Sequence, residues 1–298
     1  MKFNGAYAAM LTPYDDDNEK ISKERLENFC EFLILKGING LFAFGTTGEW
    51  LYISDDQRKI GAEIIINYVN KRVPVIIHTG SITLEKTIEL SLHAKSVNAD
   101  AISIISPIFY PMDETALFYY FYSIANELKN FPIFIYNIPS RVKNDISPDL
   151  LYKIAKKADN VIGIKFSSNN LIQFREYRKK MGKKFNIFVG SDNIILPSLF
   201  EGGDGYISGT ASVFPEILTN IYYLYKEGKL QEAALSQQLV DKLGYIIKED
   251  IELSIFKIIL RMRGIEMGDV KRPLRDANKK EIEKICKQLK LFKKLLLL

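Results

Sequence analysis

Apolar and polar positions follow two different periods along this chain. Eight short runs are dense in apolar and β-branched residues and read as buried strands: 6–11, 40–44, 73–78, 101–105, 133–136, 161–165, 187–189 and 205–207. Between them, apolar residues recur every three to four positions at 22–35, 54–69, 84–97, 113–128, 148–158, 171–181 and 194–200, the spacing of amphipathic helices. Strands that alternate with helices imply a parallel sheet. Eight such units closing on themselves make an α/β fold of the (β/α)8 (TIM) barrel type, which takes ~250 residues. An open, doubly wound sheet is the competing architecture. Against it, no Gly-x-Gly-x-x-Gly follows the first strand.

After residue 214 the strand-like runs stop. Segments 215–228, 229–250, 251–264 and 278–298 read as helices separated by Gly or Pro. The expected organisation is a barrel over 1–214 and a C-terminal helical extension over 215–298 packed on it, with no linker-like stretch between them. In the last segment Ile282, Ile285, Cys286, Leu289, Phe292 and Leu296 fall at helical spacing, so the leucine-rich end reads as a packed helix rather than a membrane contact.

Composition narrows the picture. The chain has 298 residues, 47% hydrophobic and 26% charged, which is ordinary for a soluble globular protein. No run reaches the ~18 apolar residues of a membrane span, and the N-terminus lacks a signal-peptide core. Lys+Arg 41 against Asp+Glu 36 gives a net charge of +5. That excess is small and dispersed, a poor basis for nucleic-acid binding though able to attract anionic substrates. Cys30 and Cys286 are far apart and outside any metal-ligand pattern, and with only His78 and His93 beside them a zinc site finds too few ligands. His78 ends a strand-like run and is placed to face a site, whereas His93 sits in a helical pattern and reads as structural.

Chemistry in such barrels sits at the C-terminal ends of the strands. Lys165 ends the apolar run Val161-Ile162-Gly163-Ile164-Lys165. Burying an ammonium there is costly unless it is paired or loses its proton, and a neutral lysine is a nucleophile for carbonyl carbon. Tyr136 ends the preceding strand, 29 residues earlier, and neighbouring strands lie ~4.8 Å apart, so its phenol comes within reach of the lysine. Arg141, in Asn137-Ile138-Pro139-Ser140-Arg141, is able to clamp a carboxylate. Thr46 and Glu49, in Gly45-Thr46-Thr47-Gly48-Glu49-Trp50, have capping-box spacing, so Thr46 is expected to open the next helix and offer backbone N–H groups to an anion. It is not a P-loop, because no Gly-Lys-Ser/Thr follows. Each feature also has a plain structural reading: a lysine snorkelling from a strand, a core tyrosine, a surface arginine, a capped helix.

Taken together, these segments resemble the dihydrodipicolinate synthase/N-acetylneuraminate lyase family of class I pyruvate aldolases. The matching pieces are Gly45-Thr46-Thr47-Gly48-Glu49, Tyr136-Asn137-Ile138-Pro139, Gly163-Ile164-Lys165, Gly190-Ser191-Asp192 and Gly202-Gly203-Asp204-Gly205-Tyr206-Ile207-Ser208-Gly209, in consistent order from about Ala6 to Pro215. The resemblance implies that Lys165 forms a Schiff base with pyruvate, that Tyr136 shuttles protons with Thr46, and that Thr46 and Thr47 bind the pyruvate carboxylate. Ile207 would line the pyruvate site, with Arg141, Phe109, Tyr110, Asp192, Gly190 and Gly209 completing the substrate site. It further implies a cytoplasmic enzyme with a small-molecule substrate, no nucleic-acid or membrane partner, and no cofactor or metal beyond the covalent Schiff base. Its members are typically homotetramers built as dimers of dimers, with Phe109–Tyr110 at the tighter contact.

Markers of sub-family disagree. Arg141 matches the carboxylate-binding arginine of the synthases that condense pyruvate with aspartate semialdehyde. Phe109 stands where those synthases bring a relay tyrosine from a neighbouring subunit, and Phe166 follows the lysine as in the sialic-acid lyases. Asp192 is kept relative to those lyases, whereas Asn193 and Gly209 depart from them. The run Gly209-Thr210-Ala211-Ser212-Val213-Phe214-Pro215-Glu216 and the pair Tyr110-Pro111 are similar to the 2-keto-3-deoxy sugar-acid aldolases. The expected activity is therefore reversible cleavage of a 2-keto-3-deoxy sugar acid to pyruvate and an aldehyde. The alternative is 4-hydroxy-tetrahydrodipicolinate (dihydrodipicolinate) synthase, and a non-catalytic small-molecule-binding barrel is the reading from another class.

Overall fold

The computed structural model describes residues 3–247 and 251–296, with side chains as far as residue 290. Eight parallel strands close into one barrel in sequence order: β1 (Gly5–Ala9), β2 (Gly40–Ala43), β3 (Val75–His78), β4 (Ala101–Ile105), β5 (Ile133–Asn137), β6 (Val161–Phe166), β7 (Asn186–Val189) and β8 (Gly205–Ser208). Helices α1 (Lys23–Leu35), α2 (Asp55–Val69), α3 (Leu84–Ser96), α4 (Glu114–Glu127), α5 (Pro148–Lys157), α6 (Leu171–Met181), α7 (Ile195–Phe200) and α8 (Pro215–Lys226) follow the strands in turn. This is the expected (β/α)8 barrel.

Local chemistry explains where the helices begin. Ser22, Ser54, Thr83, Asp113, Ser147 and Asn170 each precede a helix, and each side chain accepts the backbone N–H three residues on. Pro148 at the first position of α5 has no N–H to leave unpaired.

Strand alternation divides the apolar residues into two cores. Tyr7, Ala9, Phe42, Ile76, Phe134, Tyr136, Phe188 and Ile207 fill the barrel interior. Their neighbours Ala6, Ala8, Leu41, Ile77, Ile135, Ile164, Ile187 and Tyr206 face outward against the helices. The alternation breaks at the end of β2. Phe44 should face inward with Phe42, but its φ is +57°, and its ring belongs to the outer core. There it lies so close to α2 that a Cβ on Gly61 would stand 2.5 Å from its Cζ. The chain thus turns sharply at the end of β2.

α8 packs against β1 and α7, so this helix, grouped with the extension in the sequence reading, occupies the eighth position of the barrel's helical layer. Then come α9 (Leu230–Ile246), α10 (Glu252–Met262) and α11 (Lys279–Leu296), with α9 packed on α7 and α8 and with α10 and α11 in contact. In α11 Ile285 and Leu289 are buried, while the side chains of Phe292 and Leu296, and residues 248–250 at the expected end of α9, lie outside the described residues. Among the described residues no helix is long and apolar enough to cross a membrane.

Candidate active site

The register of the barrel sets the centre of the site. Tyr136 on β5 is the direct partner of Lys165 on β6, and Phe188 on β7 lies beside Lys165 on the other side. All three side chains point inward because they share one phase of the strand alternation. Lys165 is buried, with its Nζ 4.1 Å from the centre of the Phe42 ring and 4.3 Å from that of Tyr136. Burial lowers its pKa from the ordinary lysine value, against opposing contributions from the Tyr136 hydroxyl and the Asp192 carboxylate. The lysine is thereby biased toward the neutral, nucleophilic amine. Tyr136 Oη lies 3.2 Å from Thr46 Oγ1, so a chain of hydroxyls runs from the lysine to the loop after β2.

Lys165 forms the floor of a cavity of about 470 Å³. Thr46, Thr47, Tyr136, Arg141, Lys165, Gly190, Asp192, Ile207 and Gly209 all line it, so nine of the expected site residues converge from five separate segments. Gly190 has a steric reason: a Cβ there would meet Ser167 Oγ at 1.9 Å and Lys165 Cε at 3.1 Å. Asp192 is partly exposed, with Ser208 and Thr210 beside its carboxylate. Burial raises its carboxyl above the usual range, opposed by Ser208, Thr210 and Lys165. Phe109 and Tyr110 are 75% and 69% exposed, their rings in edge contact at 5.0 Å, and neither lines the cavity of its own chain.

Two expectations need correction. Thr46 does not cap a helix. The loop instead folds as two tight turns, with Gly48 N–H donating to the Gly45 carbonyl at 3.0 Å and Glu49 N–H to that of Thr46 at 3.2 Å, and α2 starts only at Asp55 behind its own cap, Ser54. Glu49, read as the capping partner, has a φ of +61° and buries its carboxylate against Lys257 Nζ at 2.9 Å. Phe166, the residue after the lysine, is fully buried on the outer face of β6 with its ring 5.2 Å from Tyr177.

Other lining residues were not anticipated. Ala9, Ile138 and Ser167 follow from strand ends already identified. Ile251, Glu252, Ser254, Val270, Leu274 and Arg275 come from α10 and the segments on either side of it. No local pattern marks these, because they reach the site only through packing of the C-terminal helices on the barrel. The Phe42 ring beneath the lysine was predictable from alternation alone.

A family model described as the dihydrodipicolinate synthetase family matches residues 2–291. The chain belongs to that family. The 4-hydroxy-tetrahydrodipicolinate synthase of Clostridium novyi (strain NT) is 31% identical over 293 residues, covering 98% of this chain and 97% of the relative. Among solved structures, YagE, a prophage protein of the dihydrodipicolinic acid synthase family from E. coli K12 in complex with pyruvate, superposes with a TM-score of 0.93 at 26% identity, covering 98% of this chain and 99% of that one. CdNal from Clostridium difficile in complex with mannosamine gives 0.92 at 26% identity, covering 98% and 100%. As a member of the dihydrodipicolinate synthetase family, the protein is a class I, pyruvate-dependent lyase or aldolase.

Proposed function

We propose that this enzyme forms its Schiff base on Lys165 and cleaves or makes a 2-keto-3-deoxy sugar acid, with pyruvate as the keto-acid partner. The observation that carries the reading is Lys165 Nζ held between two aromatic rings at the closed end of a polar-mouthed cavity. The neutral amine adds to C2 of pyruvate. Loss of water then gives a protonated imine, an electron sink that allows a proton to leave C3. The resulting enamine attacks the aldehyde carbon, whose oxygen takes up a proton, and water releases the product from the lysine. Cleavage runs the same steps backwards.

The Tyr136 hydroxyl, coupled to Thr46, carries protons to and from the carbinolamine and the aldehyde oxygen. Thr46 and Thr47 seat the pyruvate carboxylate at the closed end, beside Ile207. No metal or cofactor takes part, so activity withstands exhaustive chelation. Outside this centre the cavity presents Ser140, Ser167, Asp192, Asn193, Thr210 and Glu252, a set of hydroxyl, amide and carboxylate groups suited to several hydroxyls of a sugar chain. Arg141 at the mouth suits a distal carboxylate or hydroxyl.

Arg141 and the name of the Clostridium novyi relative favour a second reading, condensation of pyruvate with aspartate semialdehyde. Steady-state kinetics with pyruvate and a panel of aldehydes separates the two. The proposal predicts that glyceraldehyde and other hydroxyaldehydes exceed aspartate semialdehyde in kcat/KM. A comparable or larger value for aspartate semialdehyde establishes the second reading instead.

A further inference from the structure

The loop that carries Thr46 and Thr47 is bounded by two non-glycine residues in the left-handed region, Phe44 at φ +57° and Glu49 at φ +61°. Bulky L-residues rarely adopt this conformation without support from their surroundings. At each end a buried side chain from a distant element supplies that support.

At the first end, His78 Nδ1 lies 2.9 Å from the Phe44 carbonyl oxygen. A carbonyl only accepts, so Nδ1 carries the proton and Nε2 the lone pair. Among the described residues Nε2 has no hydrogen-bond partner. Burial, together with the charge of Arg58, pushes the imidazole pKa well down and keeps it neutral. The ring is packed 5.2 Å from Trp50 and 5.9 Å from Tyr136, centre to centre. Arg58 fixes the backbone behind it, donating to the carbonyls of His78 at 2.7 Å and Gly80 at 3.0 Å.

At the other end, Glu49 Oε1 meets Lys257 Nζ from α10, and its Oε2 accepts the backbone N–H of Lys271 at 2.6 Å. Lys257 also donates to the Asp269 carbonyl at 2.7 Å and stands over the Tyr14 ring. Both side chains of this pair are buried, so neither charge has solvent as an alternative. Between the two ends Thr12 Oγ1 donates to the Gly48 carbonyl at 2.8 Å. The same stretch of chain that supplies Lys257 and Lys271 also lines the cavity mouth through Ser254 and Val270.

We propose that His78 and Lys257 are positioning residues for the pyruvate-carboxylate seat, each holding one left-handed end of the Thr46–Thr47 turn. Neither touches substrate. His78 acts through the Phe44 carbonyl, and Lys257 acts through Glu49. The inference rests on the reading of Thr46 and Thr47 as the carboxylate seat.

The test is borohydride trapping of pyruvate on Lys165 over a range of pyruvate concentrations, with thermal denaturation of the same samples. His78→Phe removes the donor and keeps a ring, and Lys257→Met removes the ammonium and keeps the stem. Because Lys257→Met strands a buried carboxylate, the double variant Lys257→Met with Glu49→Gln is measured beside it and neutralises both partners. Leu33→Ala, in the outer core of α1, serves as the control for simple destabilisation. The expected result is a rise of about tenfold or more in half-saturating pyruvate for His78→Phe and for the double variant, with the trapping rate at saturation within about threefold. His78→Asn, whose amide nitrogen can stand where Nδ1 does, recovers most of the pyruvate affinity.

Half-saturation within about twofold of wild type, with a lowered Tm as in Leu33→Ala, overturns the proposal and leaves both groups a purely structural role. The underlying reading fails differently: wild type then gives no adduct on Lys165, or Thr47→Val leaves half-saturation unchanged.

Discussion

The closed end of the cavity and its mouth are built by different means. At the closed end, Lys165, Tyr136 and Phe42 stand on adjacent or facing barrel strands, are buried, and take their positions from strand register. At the mouth, Arg141, Asp192, Asn193, Glu252 and Arg275 come from segments after strands, from α10 and from the chain between α10 and α11. A barrel interior is close-packed and tolerates little change, whereas loops vary without disturbing the core. Under the proposed function, the chemical step falls to the close-packed part and the choice of aldehyde to the loop-built part. Substitutions at the two ends should accordingly leave different kinetic signatures.

The largest effect belongs to the closed end. Lys165→Ala should lower kcat by about 10⁴-fold or more with every aldehyde, as measured by pyruvate release. Lys165→Met should also raise stability. The folded-state pKa of Lys165 lies below its unfolded value, so between the two the unfolded chain binds more protons. The penalty is present in full at pH below the folded value and is relieved as pH rises toward about 10.4. Removing the amine removes the penalty, and calorimetry at neutral pH should find a Tm higher by about 2 °C.

Tyr136→Phe keeps the ring under the lysine and removes the hydroxyl joined to Thr46. A loss of about 10²–10³-fold in kcat is expected, with pyruvate trapping on Lys165 slowed as well. If only the aldehyde half of the reaction slows, the hydroxyl serves the acceptor and not imine formation. The pH profile sharpens the same point. Borohydride trapping should accelerate as pH rises and level off below the pH at which an exposed lysine, of pKa about 10.4, would do so.

The mouth should yield smaller and more selective changes. Arg141→Ala is expected to raise KM for the aldehyde about tenfold while leaving half-saturating pyruvate in place, as read in initial-rate measurements with each substrate varied. An equal rise for pyruvate would mean that the two regions are not separable and would break the comparison.

The same contrast governs what the sequence could reveal. All eight strands follow from short apolar runs, and because the barrel places chemistry at strand ends, Lys165 and Tyr136 stand out at once. Phe44 did not, since its outward turn depends on a space beside Gly61 that only the assembled helices create. Glu49 misled for a related reason. Its spacing from Thr46 fits a capping box, but its partner Lys257 is more than two hundred residues away. Phe166 lies on the face of β6 away from Lys165, as strand alternation dictates. The cavity wall from α10 and beyond was illegible, being fixed by packing of helices on the barrel rather than by any local pattern.

The central claim is that Lys165 is the nucleophile, and peptide mass mapping after borohydride reduction with pyruvate tests it most directly. The account predicts one pyruvyl adduct, on the peptide containing Lys165, and none in Lys165→Ala. An adduct on another lysine, or no adduct with pyruvate in excess, would contradict it.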